Sequence, residues 1–379
     1  MIGDENMRTK RIFLLLMSMI LLTSCNNKDL NNDSENTGEN RFIDYNYNFY
    51  QNGRVHLGVN ENGSNVALYT DFETLESVPL CAKPNCSHNN NECAAKLINS
   101  NPIIHNEKIY FLSYVDGVKE LSNGKREYYI NSKLNSLSMA TSESATICEF
   151  NDCAPYTDEG MYLYGNEIFF MATDMGPYEN EYGDIVTSDI GGKQFLCSIN
   201  LDSGEYHNYG TIYPKDEAYE SADSSRHGFI VGCKDLKLNI FYSYIPEHKS
   251  NSYKDFVLMN IEFDLENKTF TESSLPSPSY LDENSYVGYD NQNEKNYIYY
   301  KDNTYEVDAE DRYDVSLING KYFDSNSDVW LDLETNTEYS MGKYKGYIAV
   351  TMYENSYILI KGQRTVKLTE DELFALDKE

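Results

Sequence analysis

The sequence predicts an all-β protein assembled from repeated four-stranded units, and three observations carry that prediction. Helical periodicity is nearly absent: apolar residues recur at i, i+3, i+4 and i+7 only in the last segment, from Thr369 onward. Short β-branched and aromatic runs instead alternate with Asn, Asp, Gly and Ser turns, and tyrosine, a good strand former, occurs 34 times in 379 residues. Two patterns then recur along the chain.

The first pattern is a turn feeding an aromatic strand. It occurs at His105 (HNEKIYFLSYVDG), Tyr164 (YGNEIFFMATDMG), Leu236 (LKLNIFYSYIPE), Glu294, Ile318 and Glu354, with a weaker copy at Asn52. The second is a strand, an acidic turn and a return strand, at Ala67 (ALYTDFETLESVPL), Leu196 (LCSINLDSGEYHNYG), Leu258 and Val329 (VWLDLETNTEYSMG). In most places the second follows the first, which describes an inner strand and then an outer hairpin. Seven copies over about 340 residues make a unit of about 48, close to the ~40–50 residues of a propeller blade. The predicted fold is a β-propeller of six to eight blades, seven being the best count, over residues 42–379. Uneven spacing, from about 25 to about 70 residues, leaves an array of β-sandwich modules as the alternative.

Ahead of this body, Arg8, Lys10 and Arg11 precede the apolar run of residues 12–22. Eleven residues span only about half of a ~30 Å hydrocarbon core, so the run reads as a secretory signal and not as a transmembrane helix. Asp4 and Glu5 sit awkwardly before the basic cluster, and translation is expected to begin at Met7. Leu22-Thr23-Ser24-Cys25 resembles the bacterial lipobox. That resemblance implies a lipoprotein signal peptide over residues 1–24, cleavage before Cys25 and lipidation of its sulfur. At least two acyl chains, palmitate among them, would then sit on one residue, which suffices for anchoring where a single chain is marginal. Residues 25–41 are Asn-rich with only Leu30 to bury, and form a flexible spacer reaching very roughly 20–25 Å. The expected location is the outer face of the cytoplasmic membrane.

The chain carries 61 acidic and 31 basic residues, a formal net charge of −30, and loss of residues 1–24 would remove three basic and two acidic ones. Nucleic acid and anionic headgroups both require Lys/Arg clusters that are missing here, so neither is an expected partner. The expected partners are the membrane, through the lipid, and a protein, peptide or glycan ligand. The blades resemble those of propeller-type lipoproteins of Gram-positive bacteria, which pair Asn-Gly-aromatic strands with a Leu-Asp-Leu turn. This resemblance spans about residues 45–370 and implies a fold without an activity. The function it suggests is a non-catalytic binding or scaffold role. The alternatives are a surface glycan lyase or hydrolase with loop-borne catalytic residues, and an accessory of an envelope complex.

Seven cysteines remain besides Cys25. Cys81-x4-Cys86-x-His88-x4-Cys93 holds three thiols and an imidazole, the ligand set of a closed tetrahedral zinc site, at a spacing unlike a standard zinc knuckle. In an oxidising compartment a local disulfide, Cys81 to Cys86 or Cys86 to Cys93, is the leading reading, with structural zinc and then reduced buried thiols as the alternatives. Cys148-x4-Cys153 recurs at a comparable position and reads as a second disulfide clip, while Cys197 and Cys233, in strand-like runs, read as small buried apolar residues. No other cofactor is expected. Asp324-Ser-Asn326-Ser-Asp328 starts like a calcium loop but has Val329 for the glycine at its sixth position and Thr335 for the closing Glu, so it reads as an acidic turn. Catalytic signatures such as GxSxG and HExxH are absent, and His207 and His227 read as ordinary surface residues. A sugar-stacking role for the aromatics is weakened by the single tryptophan, Trp330.

Overall fold

The computed structural model describes residues 48–376 except 60–64, 82, 84, 89–92, 99–101, 123, 125, 157–160, 175–176, 180–184, 188–193, 213–226, 245–256, 273–278, 283–284, 291–294, 302, 308–314, 325 and 363. The signal segment, Cys25 and the spacer lie outside the described residues.

Seven sheets follow one another along the chain. Blade 1 is β1 (Asn48–Tyr50), β2 (Gly53–Val59), β3 (Asn65–Asp71) and β4 (Ser77–Pro79), followed by the short helix α1 (Ala94–Leu97). Blade 2 is β5 (Ile103–His105), β6 (Lys108–Glu120), β7 (Arg126–Ser138) and β8 (Ser144–Phe150). β9 (Cys153–Pro155) then joins blade 3, which is β10 (Met161–Tyr164), β11 (Glu167–Asp174), β14 (Gln194–Asn200) and β15 (Tyr206–Thr211). Between β11 and β14, the hairpin of β12 (Pro177–Glu179) and β13 (Ile185–Thr187) crosses back to pair with β7. Blade 4 is β16 (His227–Lys234), β17 (Lys237–Tyr244), β18 (Val257–Asp264) and β19 (Thr269–Glu272). Blade 5 is β20 (Ser279–Asp282), β21 (Ser285–Asp290), β22 (Lys295–Tyr300) and β23 (Asn303–Val307). Blade 6 is β24 (Val315–Ile318), β25 (Lys321–Asp324), β26 (Val329–Asp332) and β27 (Thr337–Ser340). Blade 7 has three strands, β28 (Ile348–Tyr353), β29 (Ser356–Lys361) and β30 (Arg364–Thr369), and then α2 (Glu370–Ala375). The first strand of each blade touches the first strand of the next from β1 round to β28, which makes a seven-bladed propeller with these strands innermost.

The acidic-turn pattern has a physical function in the blades. Asp71, Asn200, Asp264 and Asp332 each accept the backbone N–H groups two and three residues on, with N···O distances of 2.8–3.0 Å in the first three. Such side-chain acceptors mimic a backbone turn. The fourth residue after each takes a left-handed φ, at Leu75, Gly204, Lys268 and Asn336. Immediately after the acceptor comes a buried apolar residue, Phe72, Leu201, Leu265 or Leu333. Its N–H reaches back to the turn between the first two strands of the same blade, donating to Asn52 O (2.7 Å), Asn166 O (2.8 Å), Leu236 O (2.9 Å) and Gly320 O (2.9 Å) respectively. In blade 2, Ser138 and Met139 do the same work, Met139 N bonding Glu107 O at 3.0 Å. Two turns on one face are thereby locked together.

Among the described residues no strand is exchanged between blades 1 and 7, and side chains join the two blades. Phe72 lies 6.0 Å, ring to ring, from both Phe49 and Tyr353 of blade 7. The buried Arg54 donates from Nη2 to Thr365 Oγ1 at 3.2 Å. α2 forms in the segment whose helical periodicity begins at Thr369, and it starts with a capping box: Thr369 Oγ1 accepts from Glu372 N while the Glu372 carboxylate accepts from Thr369 N at 2.8 Å. Its Phe374 meets Trp330 edge-on at 5.2 Å, and Tyr339 stacks on the same indole at 4.6 Å. Trp330 is completely buried and is therefore core, not a sugar platform.

Two expectations follow from this packing. Leu333→Ala removes a side chain only 2% exposed and should cost about 2–5 kcal/mol, read as a lower urea midpoint, whereas Thr335→Ala in the same turn should stay within ~0.5 kcal/mol. The second concerns His56, buried beside Arg54, with Nε2 2.8 Å from Thr70 Oγ1 and Nδ1 3.1 Å from Leu57 O. Burial first, and then the Arg54 charge, push it down to about 4. The unfolded chain therefore binds this proton more readily than the folded one. Stability tied to His56 should be complete above about pH 6.5 and drain away as pH falls toward 4, and thermal melts of His56→Gln against pH should lose that component.

Candidate metal centre and adjoining groove

The Cys81–Cys93 segment leaves blade 1 after β4, with Leu80 N bonded to Ala67 O (3.0 Å) and Cys81 N to Pro79 O (2.8 Å). A loose turn follows, Cys86 N to Lys83 O at 3.4 Å, and both Asn85 and His88 take positive φ, 59° and 53°. Cys93 is the N-cap residue of α1, and its carbonyl accepts from Lys96 N at 2.9 Å. Ala95 of that helix packs with Cys93 on Val66 and Leu68 of β3. These placements bring one ligand atom from each of Cys81, Cys86, His88 and Cys93 within 4.8 Å of one another. His88 Nδ1 stands 3.3 Å from Cys93 Sγ. Bonds of ~2.3 Å to a tetrahedral ion place ligand sulfurs roughly 3.8 Å apart, so the four atoms already occupy the right volume.

Cys93 is fully buried and the other three are half-buried. The backbone N–H of His88, and then neighbouring thiols and Lys83, hold the Cys86 thiol below its usual range. Burial pushes Cys93 up to about 11. All three cysteines are free thiols in the structure, and no disulfide joins them.

The other sequence candidates are placed differently. Cys148 and Cys153 are also free thiols: Cys148 Sγ donates to Glu149 O at 3.7 Å, while Cys153 Sγ faces Cys197 Sγ at 3.8 Å and the Tyr206 hydroxyl at 3.1 Å. The sequence spacing pointed to the wrong neighbour, because β9 carries Cys153 onto blade 3. Cys197 and Cys233 are buried as expected, and burial raises both thiols, Cys233 to about 11. Asp324 is buried and caps its own turn, accepting from Asn326 N at 2.8 Å, and Asp328 pairs with Lys345 at 2.5 Å. Those carboxylates serve the turn. His207 is exposed, 3.6 Å from Glu205, and the side chain of His227 lies outside the described residues.

One polar cluster escaped sequence reasoning. Glu167 accepts from Ser198 Oγ (2.5 Å), Tyr209 OH (3.0 Å) and, across 101 residues, from Lys268 Nζ (2.9 Å). Burial alone would raise this carboxyl, but the three donors outweigh it and hold it below the usual range. The arrangement recurs: Lys301 and Tyr300 of blade 5 reach Glu334 of blade 6, and Lys321 of blade 6 reaches Glu370 after blade 7 at 2.8 Å. These residues sit on turns of one propeller face and fasten neighbouring blades.

Next to the metal-type cluster, α1 walls a groove of about 440 Å³ over the blade 2 sheet. Its lining mixes Phe111 and Ala145 with bonded polar side chains, Asn135 Nδ2 donating to Ser113 Oγ (2.8 Å) and Thr146 Oγ1 to Asn135 Oδ1 (3.1 Å). Lys96, Leu97, Tyr114 and Val115 form its rim. Beyond the groove, β6 and β7 continue as a ribbon, each 13 residues long, exposing Tyr114, Val115, Val118 and Tyr129 at 45–59%. Gly117 lies directly beneath the Tyr129 ring, where an added Cβ would fall 2.5 Å from it. Beyond Leu112 the β5-side edge of β6 pairs with no described strand.

No family model matches the chain. No curated protein matches it either. Among solved structures, it is similar to an oligogalacturonate lyase from Vibrio parahaemolyticus, 9% identical with a TM-score of 0.46 over 87% of this chain and 89% of that one. An acylaminoacyl peptidase from Pyrococcus horikoshii is 12% identical with a TM-score of 0.42, over 89% of this chain and 53% of that one. An uncharacterized protein from Listeria monocytogenes is 8% identical with a TM-score of 0.38, over 88% and 95%. At these values the likenesses bear on neither activity nor ligand.

Proposed function

We propose that the protein is an exported lipoprotein, anchored through Cys25 to the outer face of the cytoplasmic membrane, whose propeller is a non-catalytic binding scaffold. The observation that carries the binding role is the partly apolar ribbon of β6 and β7, whose β6 edge beyond Leu112 pairs with no described strand, beside the groove walled by α1. A sheet edge of this kind is a template for an extended segment of a protein partner: its backbone supplies hydrogen bonds, and the groove supplies side-chain selection. The 16-residue spacer gives the anchored body reach, and its acidic surface keeps it from associating without selection. Glu167 is engaged in fastening blades, so it lends a glycan-active enzyme no support.

Anchoring is tested by Cys25→Ala, which should move the protein from the membrane fraction to the medium; continued membrane retention would contradict it. For the edge, a photo-crosslinker at Val118 should capture a defined partner that a crosslinker at Thr335 does not. Val115→Lys in the chain carrying the Val118 crosslinker should abolish that capture while changing stability by no more than ~0.5 kcal/mol, since the Val115 side chain is exposed. Equal capture from both positions would remove the ribbon from the account.

A further inference from the structure

We propose that Cys81, Cys86, His88 and Cys93 bind one zinc ion in a closed tetrahedral centre, and that this ion holds α1, the wall of the groove, in place. The inference is independent of the lipid anchor and of the partner.

Four convergent atoms are one argument, and their chemistry is another. Three thiols and an imidazole with no carboxylate among them suit a soft or borderline ion such as zinc and not calcium or magnesium. A disulfide would use two of the thiols and leave a third thiol and the imidazole without a purpose. Zinc uses all four. On binding, the three thiols release three protons and His88 coordinates as neutral imidazole, so no oxidant or reductant is needed. Cys93 forms the buried floor of the site while the other three are half-buried, which leaves the ion a way in.

The structural role comes from α1 itself. A helix of four residues cannot persist by its own hydrogen bonds, because nucleation costs more than so few bonds return. Its N-cap makes no side-chain capping bond, and the residue at that position is Cys93. Two non-glycine residues with positive φ, Asn85 and His88, also persist in the loop, a conformation that needs surroundings to impose it. An ion bonded to Cys81, Cys86, His88 and Cys93 would impose both features. Because all four positions are filled by protein, it would offer no open site to a substrate water, and the centre is structural.

The test uses the full chain purified from its membrane without chelators. Elemental analysis should find about one zinc per chain, and Cys81, Cys86 and Cys93 should react with a thiol reagent only after chelation. Cys86→Ser and His88→Ala should each lose most of the zinc, while Cys148→Ser should keep it. Should those variants fail to fold, the wild-type protein carries the test. Cobalt exchanged into it should show thiolate charge-transfer and tetrahedral d–d bands, and chelation should raise hydrogen exchange in residues 81–98 but not in blades 4–6. Absence of metal, a peptide mass two hydrogens light across these cysteines, full zinc retention in both variants, or exchange unchanged by chelation would each overturn the proposal.

Discussion

The propeller depends on one repeated interaction, the backbone bond between the residue after each turn acceptor and the turn at the start of the same blade. Phe72, Met139, Leu201, Leu265 and Leu333 make this bond in blades 1, 2, 3, 4 and 6. Four of these side chains are also buried. One short segment therefore satisfies a backbone donor, fills the space between strands and sets the register of the outer hairpin. The neighbouring Asp, Asn or, in blade 2, Ser138 closes the turn. Three of these acceptors are aspartates, a small share of the 61 acidic residues.

The same regularity explains where the molecule departs from it. Blade 7 has three strands, and the α2 helix packs where the chain would otherwise turn back, burying Leu373 and setting Phe374 against Trp330. Among the described residues, Phe72, Tyr353 and Arg54 join blade 7 to blade 1. Blade 2 departs in the opposite direction, outgrowing its neighbours by a ribbon. The irregular segment between blades 1 and 2 holds the cysteine–histidine cluster and the groove side by side, which is why an ion in the first would govern the shape of the second.

Much of this was legible in the sequence. The turn-and-aromatic pattern locates the first hairpin of the blades, the strand–acidic turn–strand pattern locates the second, and the helical periodicity from Thr369 locates α2, because each is a local rule satisfied within a few residues. The pairing of Cys153 with Cys197 was not legible, since it depends on β9 crossing to blade 3, 44 residues from its partner. Nor was the Glu167–Lys268 link, which joins separate blades. The Cys81–Cys93 cluster stands between these cases. Its residue types were visible, but their convergence depends on α1 packing against Val66 and Leu68, and spacing alone left disulfide and metal side by side.

X-ray absorption at the zinc edge, on protein isolated from its membrane, tests the central claim most directly. The account predicts one zinc with three sulfur neighbours at ~2.3 Å and one nitrogen at ~2.0 Å. A sample without zinc, or one whose zinc sees only oxygen and nitrogen while two of the three cysteines are joined at ~2.05 Å, would contradict it.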